Sequence, residues 1–103
     1  MNAITEKIKE FFPAHNIDVY GIAQASSLET EPSGYRPSDL LPGARSILCL
    51  GMPFSRGIFK CAGKAEQTYW RAAAVYYRHI DAILMQAAVI IEEQSEIAVP
   101  VYG

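Results

Sequence analysis

The chain has 103 residues, of which 50% are hydrophobic and 19% are charged. Nine Lys and Arg side chains against eleven Asp and Glu side chains give a net charge of −2. This length fits one domain, and the composition excludes a disordered chain, which has low hydrophobicity and high net charge. The slightly acidic balance argues against general nucleic-acid binding and against binding to anionic membranes, since both use a basic excess.

The first predicted element is an amphipathic helix from Asn2 to about Phe12. Its apolar residues recur at helical spacing, and Pro13 and Asn16 are expected to stop it. These apolar residues are Ile4, Ile8, Phe11 and Phe12.

Two short strands are predicted next, over residues 18–23 and 46–52. The second is a continuous apolar run, which is typical of a strand buried on both faces. Between them, a loop rich in Ser, Glu, Pro and Gly from Gln24 to Pro37 leads into a compact turn region, Ser38–Arg45, which contains Pro42-Gly43. Whether the strands pair parallel or antiparallel is left open by the sequence.

The strongest pattern is a long helix from Glu66 to about Gln94, without Gly or Pro. At 1.5 Å per residue it is roughly 43 Å long, which is long for so small a chain. A third strand is predicted over 97–102, where Pro100 favours a sheet edge or a bulge. The expected fold class is therefore α/β (α+β): a sheet of about three strands with two helices, in the order helix-strand-strand-long helix-strand, forming a single domain over 1–103.

Cysteine usage and the N-terminus indicate a cytoplasmic protein. The first nine residues lack the apolar core of a secretory signal. Cys49 and Cys61 form no C-x-x-C pair, so we expect free, buried or partly buried thiols in a reducing compartment. No apolar run approaches the roughly 18–20 residues that cross a bilayer, so we expect no membrane contact.

Catalytic and metal motifs are not found in the sequence. It contains no Gly-rich nucleotide-binding motif and no G-x-S-x-G element. His15 and His79 each lack a second His at the spacing of a metal site. Cys61, in a loop rich in Gly and Lys, is the more accessible thiol, whereas Cys49 in mid-strand is expected to be inert.

Aromatic residues crowd the first half of the long helix and alternate with arginines. One interpretation is a packing face. The other is a wall for a flat cofactor, with the two guanidinium groups on one helix face reaching phosphate or carboxylate groups. The residues concerned are Tyr69, Trp70, Tyr76 and Tyr77, with Arg71 and Arg78.

The turn L-L-P-G-A-R-S-I at residues 40–47, with the strand that follows it, resembles a segment of the epoxyqueuosine reductase family. The run D-V-Y-G-I-A at 18–23 resembles the first strand of that family. The helix that carries Y-Y-R at 76–78 resembles a family helix in placement and length. Members of the family are cobalamin-dependent iron–sulfur reductases related to reductive dehalogenases, and they act in tRNA modification.

The resemblance implies that this chain is the N-terminal portion of a longer oxidoreductase, in which it forms part of a nitroreductase-like corrinoid domain. Two 4Fe-4S clusters would lie in the remainder of the parent chain and none in this chain, which alone would be inactive. The family's proton-donating Asp is not matched, because Tyr102 stands at about its position. The predicted cobalamin-binding residues are Gly51, Met52, Pro53, Phe54, Tyr69, Trp70 and Arg71; no catalytic or metal-binding residue is predicted.

An alternative of a different class also agrees with the sequence. A small non-enzymatic module could self-associate as a homo-oligomer through the long helix or through an open sheet edge, since uncovered edge strands readily pair.

Overall fold

The computed structural model describes residues 3–101, with Ala65 described by its backbone only. The chain is a mixed helix-and-strand protein, as predicted. The helices are α1 (Ala3–Ala14), α2 (Pro37–Leu40) and α3 (Ala65–Glu92), and the strands are β1 (Val19–Gln24) and β2 (Ser46–Gly51). Two 3₁₀ helices span Ala25–Leu28 and Arg56–Lys60. The predictions for α1, β1, β2 and α3 are confirmed to within two residues at each described end.

Helix α1 runs one residue past Pro13, and Asn16 reverses the chain. Asn16 has a φ of 61°, a left-handed conformation that Asn tolerates better than most residues. The Ile17 N–H then donates to the Phe12 carbonyl oxygen at 2.8 Å. This cap turns Ile17 into the core, where its side chain is fully buried.

Strands β1 and β2 form an antiparallel two-stranded sheet, in which Val19 lies opposite Gly51 and Gln24 lies opposite Ser46. The turn before β2 depends on Gly43, whose φ is 82°. The Ala44 N–H donates to the Leu41 carbonyl oxygen at 3.0 Å. These are the features of a type II turn, which needs a positive φ at its third residue.

One apolar core joins α1, the inner face of the sheet and the C-terminal half of α3. Phe12 and Ile17 are the largest fully buried side chains. Tyr20, Leu48 and Leu50 from the sheet pack against this core. The buried members of the core are Ile8, Phe11, Phe12, Ile17, Ile83 and Ala87.

Two predictions about the sheet differ from the structure. Residues 97–101 form no strand, and Tyr102 lies outside the described residues. A segment becomes a strand only when a neighbour pairs with it, and the sheet of the described residues consists of β1 and β2. The prediction that β2 is buried on both faces is wrong, because Cys49 on its outer face is exposed.

The packed body is flat and open. Its principal extents are 49 × 35 × 18 Å and its radius of gyration is 16.1 Å, against about 13 Å for a compact domain of this length. Several large apolar side chains therefore stay at the surface, among them Val19, Trp70, Val75, Met85 and Ile97. In the described residues the core is covered on one side of the sheet only, and the outer face of the sheet remains open to solvent.

Candidate functional site

Four aromatic rings meet where the loop after β2 returns to the start of α3. The ring of Phe54 lies 4.6 Å from that of Tyr76, 5.7 Å from that of Tyr69 and 6.2 Å from that of Phe59, all edge-to-face. The ring centres of Tyr69 and Phe59 lie 6.0 Å apart. We call these four residues the aromatic cluster. Edge-to-face pairs at such distances are favourable, so the cluster fixes the loop on the helix.

The backbone reinforces the position of this loop. The Ser55 N–H donates to the Tyr76 hydroxyl oxygen at 3.3 Å. The adjoining 3₁₀ helix buries Ile58. Tyr69 and Tyr76 are seven residues apart, so they lie on the same side of α3. The loop therefore forms a shelf beside the first three turns of α3.

The side chains that remain open at this shelf belong to the first turns of α3. Trp70 is 64% exposed, and its ring packs edge-to-face against Tyr69 at 5.5 Å. Trp70 and Arg71, with Glu66 and Gln67, line a shallow depression of about 490 Å³. A planar indole beside a guanidinium group can bind a flat ligand that carries an anionic or amide edge.

The seven residues predicted from sequence fall into three groups in the structure. The first group is Met52, which packs against the apolar core, with Gly51 at the end of β2 before it and Pro53 in the loop after it. The second group is Phe54 and Tyr69, which belong to the aromatic cluster. The third group is Trp70 and Arg71, which line the open depression.

Four neighbours of this region were missing from the predicted set: Phe59 and Tyr76 in the aromatic cluster, and Glu66 and Gln67 in the depression. The seven-residue spacing of Tyr69 and Tyr76 was a usable signal, since it places both on one helix face. Nothing local in the sequence indicates that Phe59 closes the cluster, because that contact depends on how the 3₁₀ helix docks.

These residues fit one wall for a corrinoid and do not enclose one. A site for a ligand of that size covers most of its surface, whereas the aromatic rings at this shelf pack against one another and leave a shallow depression lined by Glu66, Gln67, Trp70 and Arg71. The described residues thus supply a flat wall that carries one cation and one carboxylate, to which a second surface must be added.

A second open surface is the outer face of the sheet. An apolar depression of about 210 Å³ on this face is lined by Val19, Tyr20, Gly21, Cys49, Leu50 and Gly51. A Cβ atom built on Gly21 meets no atom within 4 Å, so no contact within the described chain requires glycine there. The surface is smooth enough for another backbone to approach closely.

The two thiols are free and differ in their surroundings. Cys49 is exposed on the outer face of the sheet, so the expectation that it is buried is wrong. Cys61 is partly buried, with its Sγ 3.6 Å from the Gly57 carbonyl oxygen. Within residues 3–101, no three His, Cys, Asp or Glu side chains are grouped so as to hold a metal ion.

Helix α3 is long and apolar enough, by length and composition, to cross a membrane over Glu66–Glu92. The sequence expectation that no segment of the chain reaches this length and composition is therefore wrong. The core helices of soluble proteins that pass the same criterion are mostly buried, whereas 17% of this stretch is buried. Ile83 and Ala87 of α3 belong to the core shared with α1.

No protein-family model, curated protein or solved structure matches this chain.

Proposed function

We propose that this chain is the N-terminal, corrinoid-binding portion of an epoxyqueuosine-reductase-like iron–sulfur oxidoreductase. The observation that carries the proposal is the open packing: the radius of gyration is 16.1 Å, and Val19 on the outer sheet, Trp70 at the start of α3 and Ile97 after it remain exposed. The sequence resemblance supplies the identity of what would cover that surface, namely the remainder of the parent chain.

In this proposal the corrinoid lies against the shelf formed by the loop after β2 and the start of α3. Trp70 would contact the flat ring, and Arg71 would bind an amide or phosphate group at its edge. Phe54 and Tyr69 hold this wall in place through the aromatic cluster, and Met52 joins it to the core. The bound cobalamin would supply the reductive chemistry, and this chain would supply orientation and exclusion of water.

The nitroreductase-like fold and the third strand belong to the same proposal. Residues 97–101 include Ile97, which is 70% exposed, and Val101, which is 63% exposed. Two exposed apolar side chains in a short terminal segment favour its addition to a larger sheet. We place that sheet, and the two 4Fe-4S clusters, in the remainder of the parent chain and the whole protein in the cytoplasm.

The proposal is tested first by reading the gene beyond the codon for Gly103. We expect two C-x-x-C-x-x-C-x-x-x-C-P runs, since each cluster needs four thiolates. The protein expressed from the whole reading frame should then contain about eight iron atoms per chain by atomic absorption. A reading frame without these cysteines, or a protein without iron after anaerobic reconstitution, contradicts the proposal.

A further inference from the structure

Helix α3 carries a second stripe, of four apolar residues and two arginines, on the side opposite the core. At 100° per residue, this stripe lies about half a turn from Ile83 and Ala87, which pack toward α1. Its positions alternate in steps of three and four, the spacing by which two helices pack along a shared seam. The α3 seam consists of Arg71, Val75, Arg78, Ala82, Met85 and Val89.

The α3 seam is open to solvent. Val75 is 57% exposed, Met85 52% and Val89 50%. Arg71, Arg78 and Ala82 are exposed as well. Large apolar side chains aligned along four turns of a helix, rather than scattered singly, mark an interaction surface.

Charge is unevenly distributed along the same helix. Arg71 and Arg78 outnumber Glu66 in its N-terminal half, whereas Glu92 and Glu93 lie at its C-terminal end, and all five side chains are exposed. The wider chain shows the same asymmetry, because residues 53–80 carry a net charge of +4 and the rest of the chain carries −6. A surface with opposite charges at its two ends is complementary to a copy of itself turned end for end.

We propose that the α3 seam binds a second copy of this chain in antiparallel orientation, with a two-fold axis near Ala82. Arg71 lies eleven residues before Ala82 and Glu93 eleven residues after it, so each is about 16 Å from the axis along the helix. The two-fold axis therefore brings Arg71 to the partner's Glu93. It brings Val75 to the partner's Val89 in the same way, seven residues on either side.

The antiparallel arrangement is selected by charge. In a parallel pair, Arg71 would face Arg71, Arg78 would face Arg78 and Glu92 would face Glu92, and like charges in such positions destabilise helix pairs. Antiparallel helices also align their macrodipoles favourably. Ala82 at the crossing point has the smallest apolar side chain of the seam, which permits close approach. This inference depends on the exposed face of α3 and does not rest on the corrinoid proposal; it assigns Arg71 to the dimer contact in a chain that has no corrinoid bound.

The test is sedimentation equilibrium of the 103-residue chain over concentrations from about 1 μM to about 1 mM. We expect a monomer–dimer equilibrium. Ala82→Glu places two carboxylates together at the axis and should raise the dissociation constant at least about thirtyfold. Val19→Lys, on the exposed outer face of the sheet, is the matched control and should leave the constant unchanged. Circular dichroism verifies that both variants keep their helix content.

A charge exchange tests the orientation. Arg71→Glu should weaken the dimer about tenfold, because two interhelical pairs become repulsive. Adding Glu93→Arg to the same chain should restore the dissociation constant to within about threefold of wild type.

Four outcomes overturn the proposal: a monomer at every concentration, a dimer that survives Ala82→Glu, loss of the dimer in Val19→Lys, or an exchange that does not restore binding. Co-sedimentation with phosphatidylcholine vesicles tests whether the seam binds a membrane surface rather than a second copy of the chain. A chain that is monomeric in buffer and binds the vesicles would assign the seam to a membrane surface instead.

Discussion

Removal of the Phe54 ring should destabilise the protein more than removal of any more exposed aromatic ring. Phe54 is half-buried and contacts three other rings, the nearest at 4.6 Å. Burying most of an aromatic side chain contributes about 2 kcal/mol, and ring pairs add about 0.5–1.5 kcal/mol each. Allowing for partial relaxation, we expect Phe54→Ala to lower the free energy of unfolding by about 3 kcal/mol.

Two control variants bracket this value. Phe59 is 59% exposed and keeps two longer ring contacts, at 6.0 and 6.2 Å, so Phe59→Ala should cost about 1 kcal/mol. Tyr35 is 78% exposed, so Tyr35→Ala should stay within about 0.5 kcal/mol of wild type. Urea denaturation followed by far-UV circular dichroism measures all three. A loss for Phe54→Ala no larger than that for Phe59→Ala would refute the packing of the aromatic cluster.

Three further predictions concern the rest of the chain. Gly43→Ala should destabilise the protein by about 1–2 kcal/mol in thermal unfolding, because φ at Gly43 is 82°. The control Gly21→Ala should be neutral or stabilising, because a Cβ atom at that position meets open space. Equal effects of the two substitutions would contradict the described turn. Cys49 should react with Ellman's reagent before Cys61, since Cys49 is exposed and Cys61 is partly buried. Mass spectrometry identifies the labelled thiol. The reverse order would mean that another surface covers Cys49. Asp39→Ala should cost about 1 kcal/mol in urea denaturation, because one Asp39 carboxylate oxygen accepts the N–H groups of Gly34 and Arg36 at 2.7 and 3.1 Å. Asp39→Asn keeps an acceptor oxygen and should recover part of the loss, and no difference between the two variants would contradict the contribution of these two hydrogen bonds.

Local sequence signals were sufficient for the main elements. The helical spacing of Ile8, Phe11 and Phe12 predicted α1 and its buried face. The absence of Gly and Pro after Glu66 predicted the length of α3. Pro42-Gly43 predicted a turn, and the φ of Gly43 explains why glycine is needed there. In each case the decisive interaction lies within a few residues of the signal.

Tertiary contacts account for the failures. The apolar run 46–52 is a strand, but whether its outer face is buried depends on a layer that the described residues do not contain, and Cys49 is therefore exposed. The segment 97–101 has the composition of a strand and lacks a neighbouring strand. Pairing of β1 with β2 was open to either direction, because the intervening residues 25–45 are long enough to permit both.

The candidate site was predicted only in part for the same reason. Sequence indicated the aromatic residues at the start of α3, and the structure joins Tyr69 to Phe54 across the loop after β2. It did not indicate that the rings would pack against one another and leave Trp70 and Arg71, with Glu66 and Gln67, at an open depression. Which side chains of an aromatic group face a ligand is decided by the packing of the loop against the helix.

The most direct measurement is equilibrium dialysis of hydroxocobalamin against the protein expressed from the whole gene, followed by its visible absorbance. We expect about one corrinoid per chain, and Trp70→Ala should weaken binding at least about tenfold, because a central Trp contact commonly contributes 2 kcal/mol or more. Tyr35→Ala, which removes an exposed aromatic side chain outside the shelf, should bind as the wild type does. Absence of any retained corrinoid, or equal affinity in Trp70→Ala, would contradict the assignment of this chain to a corrinoid site.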